Sequence, residues 1–214
     1  ARLHRLPAAR VILWINGPFG VGKTQVAYEL HRRLPHSFVC DPEFLGFALR
    51  GMWPPELRGD FQDDPVWREG TRRTLERLAG VWCGPVVVPM ALVDVEHHRE
   101  IVGALREHGT PVHHVTLLAS RATVLHRIRR RGQGRKSRAA RLYTASFDVL
   151  AQPAFAEHVT TDGRSVEQVA EDTAASAGLV LGARAGSRAA SLARRVWAQW
   201  ARHRYELRRL VGAP

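Results

Sequence analysis

An eight-residue turn, Gly17-Pro18-Phe19-Gly20-Val21-Gly22-Lys23-Thr24, leaves few folds open to this chain. It follows Val11–Ile15, a run of mostly β-prone apolar residues, and it opens a helical pattern with Val26, Leu30 and Leu34 four apart, stopped by Pro35. The turn fits GxxxxGK(S/T) in its strand–turn–helix setting. Glycines at 17, 20 and 22 let the backbone wrap closely round an anion, so that successive N–H groups point inward as a nest. The helix that follows adds the positive end of its dipole. Residues Gly17 to Thr24, with Gln25 beside them, are therefore expected to cradle the phosphates of a nucleotide. Lys23 is placed to reach the β- and γ-phosphates, and the Thr24 hydroxyl to ligate Mg²⁺.

Beyond the turn, strand and helix patterns alternate. Runs at 37–40, 86–88, 111–119 and 157–161 read as strands, with 86–88 continuously apolar as in a strand covered on both faces, and the stretches between them carry helical spacing. Ser120 is expected to cap a helix over 121–131, and Ser165 with Gln168 forms a capping box before another. Residues 44–69 read as short helices joined by loops, and 132–141 as a polar basic lid. The pattern predicts an α/β fold: a parallel five-stranded sheet with helices on both faces, a lid segment and a C-terminal helix. In such a sheet ligands sit beyond the carboxyl ends of the strands, which gathers Gly17–Thr24, Asp41, Met90, Ser120 and Asp162 on one edge. The expected division is a domain over 1–181 with a lid at about 127–145, then a linker and basic amphipathic helix over 182–214.

The net charge of +12 is unevenly spread. Residues 121–141 hold nine Arg or Lys and no acid, residues 184–211 hold eight Arg against one Glu, and the rest is net −4. A nucleic-acid binder would carry its charge over the body of the fold, so a nucleic-acid module ranks well behind a nucleotide-binding one. No apolar run reaches the roughly 18 residues of a membrane span. Cys40 and Cys83 offer neither a disulfide framework nor a metal spacing, which suits a reduced, cytoplasmic setting.

Phosphoryl transfer also needs a group to position or deprotonate the acceptor and positive charge over the transferred phosphate. The usual acid at the end of the third strand is missing, because Val86-Val87-Val88-Pro89-Met90 has no carboxylate. Asp41, after the second strand, is the next candidate as general base or as holder of the Mg²⁺ shell, with Glu43 in reserve. Asp before Pro is also a common turn residue. Arg127 and Arg131, four apart on one helical face, are candidates for the charge over the phosphate, with Arg135, Lys136, Arg138 and Arg141 following in the basic run. His113 and His114 are neighbours on a strand and point to opposite faces, which argues against their sharing one metal ion. Trp53, Phe61 and Trp67 either stack on a substrate ring or cover a loop-rich core.

INGPFGVGKT, FVCDPEFLGFALR, DFQDDPVW at 60–67, VVVPM and VTLLASRATVLHRIRRRG together resemble the tunicamycin-resistance proteins, a branch of the P-loop kinase-like nucleotide-binding proteins. The resemblance spans roughly residues 10–180. It implies a P-loop NTPase fold of the nucleoside-kinase type and an ATP- and Mg²⁺-dependent protein that protects against tunicamycin, a uridine-containing nucleoside antibiotic. It further implies that Asp41 sits at the reactive edge and that Asp60, Gln62 and Trp67 line the acceptor pocket. The family is associated with peripheral membrane attachment through a C-terminal amphipathic helix, and Leu192, Val196, Trp197 and Trp200 with the surrounding arginines suit an anionic lipid surface. The other use of that apolar side is packing on the domain. Two functions stay open at this point: phosphorylation of a hydroxyl on a nucleoside-like small molecule, and nucleotide-dependent sequestration of the drug without turnover.

Overall fold

The computed structural model describes residues 10–130 and 138–184, with the backbone alone over 138–142. Five parallel strands form one sheet: β1 Ile12–Asn16, β2 Phe38–Val39, β3 Val86–Pro89, β4 Val112–Leu118 and β5 His158–Thr160, in the order β2-β3-β1-β4-β5. β1 lies at the centre, with Ile12 opposite both Val86 and Val112. The helices are α1 Lys23–Arg33, α2 Glu43–Met52, α3 Pro65–Val81, α4 Val95–His98, α5 Ala104–Glu107, α6 Arg121–Arg129, α7 Arg138–Leu150 and α8 Val166–Ser176. A π-helical turn, Arg99–Gly103, joins α4 to α5.

Side chains alternate across each strand, so the sheet builds two cores. Leu13, Ile15, Val87, Val115 and Leu117 face α1, α6 and α8, against Val26, Leu30, Val124, Ile128 and Val169. Ile12, Trp14, Val86 and Val88 face the opposite layer, against Trp67, Leu75, Ile101, Val102 and Leu105. Both faces are covered, as the apolar strands require.

The expected caps are present. Ser120 Oγ accepts from Thr123 N, and Ser165 with Gln168 closes its box. Asp94 also caps α4, accepting from Glu96 N and His97 N. Two boundaries differ from expectation. α3 starts at Pro65, inside the stretch expected as short helices joined by loops, because Asp64 caps Val66 N and proline suits the first helical position. The stretch expected as a basic lid is helical from Arg138, where α7 begins. α7 then ends at Leu150, ahead of a 3₁₀ turn at Pro153–Phe155. Residues 131–137 and the C-terminal segment from 185 lie outside the described residues, and so do the expectations placed on Arg131, Arg135, Lys136 and the last helix. Among the described residues no helix is long and apolar enough to cross a membrane.

Candidate nucleotide and acceptor site

The turn after β1 has the conformation that its glycines permit. Gly17, Gly20 and Gly22 have φ of +139°, +88° and +110°, backbone that residues with a Cβ rarely adopt. At Gly17 space is also closed, since a Cβ would sit 2.4 Å from the Leu117 carbonyl oxygen of β4. The loop is thus pressed onto the sheet at its first residue and delivered to the N-terminus of α1 at Gly22, where no side chain caps the helix. No acid stands in the first turn of α1, so its amides and dipole meet an incoming anion unopposed. Lys23 Nζ donates to the carbonyls of Gly17 at 2.7 Å and Pro18 at 3.2 Å, folding back across the concavity that a phosphate would fill.

The predicted edge residues stand at the carboxyl ends of their strands, and two of them meet. Ser120, after β4, donates from its N and Oγ to Asp162, after β5, at 2.7 and 2.9 Å. Asp41 follows β2 on the same side of the sheet. Its Oδ1 accepts from Glu43 N at 3.0 Å, so it shapes the turn that starts α2 while its carboxylate stays partly exposed. That carboxylate reaches its neighbours: burial first, then the Asp41 charge, raises the Tyr28 hydroxyl and lifts the Cys40 thiol to about 11. Glu43 stands in the first turn of α2.

Asp60 caps the 3₁₀ turn Phe61–Asp63 by accepting from Gln62 N. The Gln62 carbonyl accepts from Arg68 Nη1 at 2.8 Å, and Arg68 also pairs with Glu100 of the π turn. Sequence reading did not single out Arg68; only the fold joins residues 62, 68 and 100.

Two side chains hold posts other than those expected. Trp67 does not face the pocket: it is wholly buried in the core beneath α2, and its indole N–H donates to the Pro42 carbonyl at 3.0 Å. A residue with no exposed surface can support a pocket only from behind. Arg127 points inward as well. Its Nη1 donates to Val21 O at 3.0 Å and to Thr161 Oγ1 at 2.9 Å, and its Nη2 to Thr161 O at 2.9 Å. Desolvation lowers its pKa from the ordinary value. The guanidinium braces the phosphate loop against the end of β5, with two backbone carbonyls and the Thr161 hydroxyl accepting from donors that a transferred phosphate would use.

At the end of β3, Met90 is buried in the core and its carbonyl accepts from Trp14 Nε1 at 3.1 Å. No carboxylate occupies that edge position. His113 and His114 do point to opposite faces, His113 to Ser176 of α8 and His114 to Asn16. Thr24, in the first turn of α1, and Asp41, after β2, are the oxygen donors expected for a hard cation such as Mg²⁺, which also takes phosphate and water.

The family model described as "AAA domain" matches residues 12–152. The Deinococcus radiodurans tunicamycin resistance protein is 37% identical, over 81% of this chain and 99% of that one, with a TM-score of 0.69. The chain belongs to the tunicamycin-resistance family of P-loop kinase-like proteins. Two more distant solved structures share the fold. A gluconokinase from Sinorhizobium meliloti is 15% identical over 82% of this chain and 94% of its own, with a TM-score of 0.54. The Mycobacterium tuberculosis APS kinase CysC, solved with AMPPNP and APS, is 20% identical over 81% and 99%, with a TM-score of 0.52. No curated protein matches. Within the family assignment, the sheet order and the glycine-built loop describe a nucleotide-binding, kinase-like scaffold.

Proposed function

We propose that this protein binds Mg²⁺-ATP in the Gly17–Thr24 loop and transfers its γ-phosphoryl group to a hydroxyl of a nucleoside-like small molecule, tunicamycin being the acceptor that similarity suggests. The observation that carries this reading is the glycine-built loop, with Lys23 folded across it, on the same sheet edge as Asp41. The loop amides and Lys23 hold the β- and γ-phosphates, and Thr24 would supply an oxygen ligand to the metal, whose chemistry would be to neutralise phosphate charge. Asp41 orients the acceptor hydroxyl and takes its proton as the oxygen attacks the γ-phosphorus. The bond from that phosphorus to the bridging oxygen breaks, and ADP leaves with the electron pair. Protein incubated with Mg²⁺-ATP and tunicamycin is expected to yield a product heavier by one phosphoryl group, and Asp41→Asn to lose both product and protection of cells. No mass gain, with Asp41→Asn still fully protective, overturns this reading.

One observation favours a second reading. Met90 fills the position where the third-strand acid would stand, and a site with fewer carboxylates is better suited to holding a ligand than to turning it over. In that case the protein sequesters the drug, with nucleotide as a structural ligand, and protection is stoichiometric with protein. Support for ATP over other nucleotides, for the drug as ligand and for any peripheral membrane contact comes from family likeness; a nucleic-acid partner has none.

A further inference from the structure

The first amide of the phosphate loop does not point into the concavity. Gly17 N donates instead to Oδ1 of Asn16, the last residue of β1, at 2.7 Å. The Asn16 side chain has no exposed surface, and four hydrogen bonds engage it. Its Oδ1 also accepts from Leu92 N at 3.0 Å, and its Nδ2 donates to Leu92 O at 2.9 Å and lies 3.2 Å from His114 Nε2. The two bonds to Leu92 fix the amide's orientation, because a backbone N–H needs the oxygen and a backbone carbonyl needs the nitrogen.

That orientation decides the state of His114. An amide nitrogen can only donate, so Nε2 of His114 must offer its lone pair. The ring proton then lies on Nδ1, which faces the carbonyl of Ala156 at 3.4 Å, and a carbonyl can only accept. Both sides select the same neutral tautomer. A protonated ring would set an N–H against the Asn16 amide hydrogens and break the bond. His98 packs edge-on against His114, with ring centroids 4.6 Å apart, and Phe155 closes the cluster. His98 Nε2 is buried with no partner among the described residues, so this cluster gives His114 shape but no hydrogen bond.

We infer that His114 is a positioning residue of the nucleotide site: its unprotonated Nε2 holds Asn16, and Asn16 holds both Gly17 of the phosphate loop and Leu92 of the segment that follows β3. Asn16 thereby ties the loop to the segment that carries Met90 and leads into α4. The inference rests on the nucleotide reading for its consequence, though not for its geometry.

Amide hydrogen exchange at Gly17 and Leu92, ¹⁵N spectra of the His114 ring, and calorimetry with Mg²⁺-ATP test it. In the parent chain the Nε2 resonance is expected in the unprotonated range and the Nδ1 resonance in the protonated range. His114→Leu, which keeps bulk and removes the acceptor, is expected to lose about tenfold in Gly17 protection and about tenfold in ATP affinity, the scale of one buried hydrogen bond. His114→Gln, which returns an acceptor at similar reach, should restore both. His98→Phe should leave both near the parent values. The inference is overturned if the parent ring is protonated on Nε2, if His114→Leu leaves Gly17 exchange unchanged, or if His98→Phe loosens Gly17 as much as His114→Leu does. Should the parent chain fail to bind Mg²⁺-ATP, the nucleotide reading falls alone, since exchange and ring spectra decide this inference without nucleotide.

Discussion

Trp67 donates its indole N–H to the carbonyl of Pro42, 25 residues earlier and next in sequence to Asp41. The bond fastens the core of the α3 layer to the turn that presents the candidate base. Trp67→Phe keeps most of the apolar bulk and leaves a buried carbonyl without its donor, a loss of about 1–3 kcal/mol. Urea denaturation should show that loss. Calorimetry should show Mg²⁺-ATP bound as in the parent, while acceptor turnover falls. A variant with parent-like turnover would mean that Asp41 does not need this support.

Gly46 of α2 lies flat against the Phe61 ring, and a Cβ there would fall 2.5 Å from a ring carbon. Phe61 in turn packs on Trp67 and Phe47, with centroids 5.2 and 6.2 Å away. Replacing glycine by alanine inside a helix ordinarily gains up to about 1 kcal/mol. Forcing a methyl into a filled contact costs about 1–3 kcal/mol, and the ring has core on its far side. The clash wins, so Gly46→Ala is expected to lower the melting temperature and to raise KM for the acceptor by loosening the 60–64 segment, with ATP affinity unchanged. A higher melting temperature would show that Phe61 moves aside at no cost.

What sequence made legible is what local pattern encodes. The phosphate loop, the alternation of strands and helices, the caps at Ser120 and Ser165, and the placing of Asp41, Ser120 and Asp162 at strand ends all follow from spacing within about ten residues. Trp67 stands at the acceptor pocket only by family resemblance, since its residue type equally suits core cover, and Arg127 is a candidate because a basic helical face beside a phosphate loop invites that reading. Their posts depend on partners at 42, 21 and 161, which no local pattern specifies. Asn16 and His114 stayed hidden for the same reason, since 98 residues separate them. α7 was misjudged at its start because a basic run reads as a loop, although arginine and alanine are good helix formers.

Arg127 separates two roles by kinetics. A guanidinium that stabilises the transferred phosphoryl group acts in the transition state, so its loss lowers kcat. A brace between Val21 O and Thr161 acts on the shape of the loop, so its loss weakens nucleotide binding. Arg127→Met is therefore expected to raise KM for ATP about tenfold or more, in line with the loss of charge-assisted hydrogen bonds, with kcat within about twofold. A variant with normal KM and collapsed kcat would return Arg127 to the reacting phosphate.

Acidity should unfold this protein from a higher pH than its carboxylates alone would set. Burial, then the neighbouring His98, Arg106 and His113, drives His114 from its ordinary value near 6.5 down to about 3. Burial, then Arg106, takes His98 to about 4. Both rings are thus neutral in the folded state at pH values where the unfolded chain protonates them. Between pH 6.5 and the folded values the unfolded state binds more protons, so stability is full above about 6.5 and falls as pH drops. His114, 4% exposed, contributes a slope of up to about 1.4 kcal/mol per pH unit. Glu171, held at about 2 by Arg184 and Arg33, loses its contribution only as pH falls from about 4.5 to about 2, so the window from 6.5 to 4.5 belongs to the histidines. Urea midpoints at pH 7, 6 and 5 are expected to fall in sequence in the parent, and less steeply in His98→Phe. Equal midpoints across that range would mean that the two rings are not buried neutral in the folded protein.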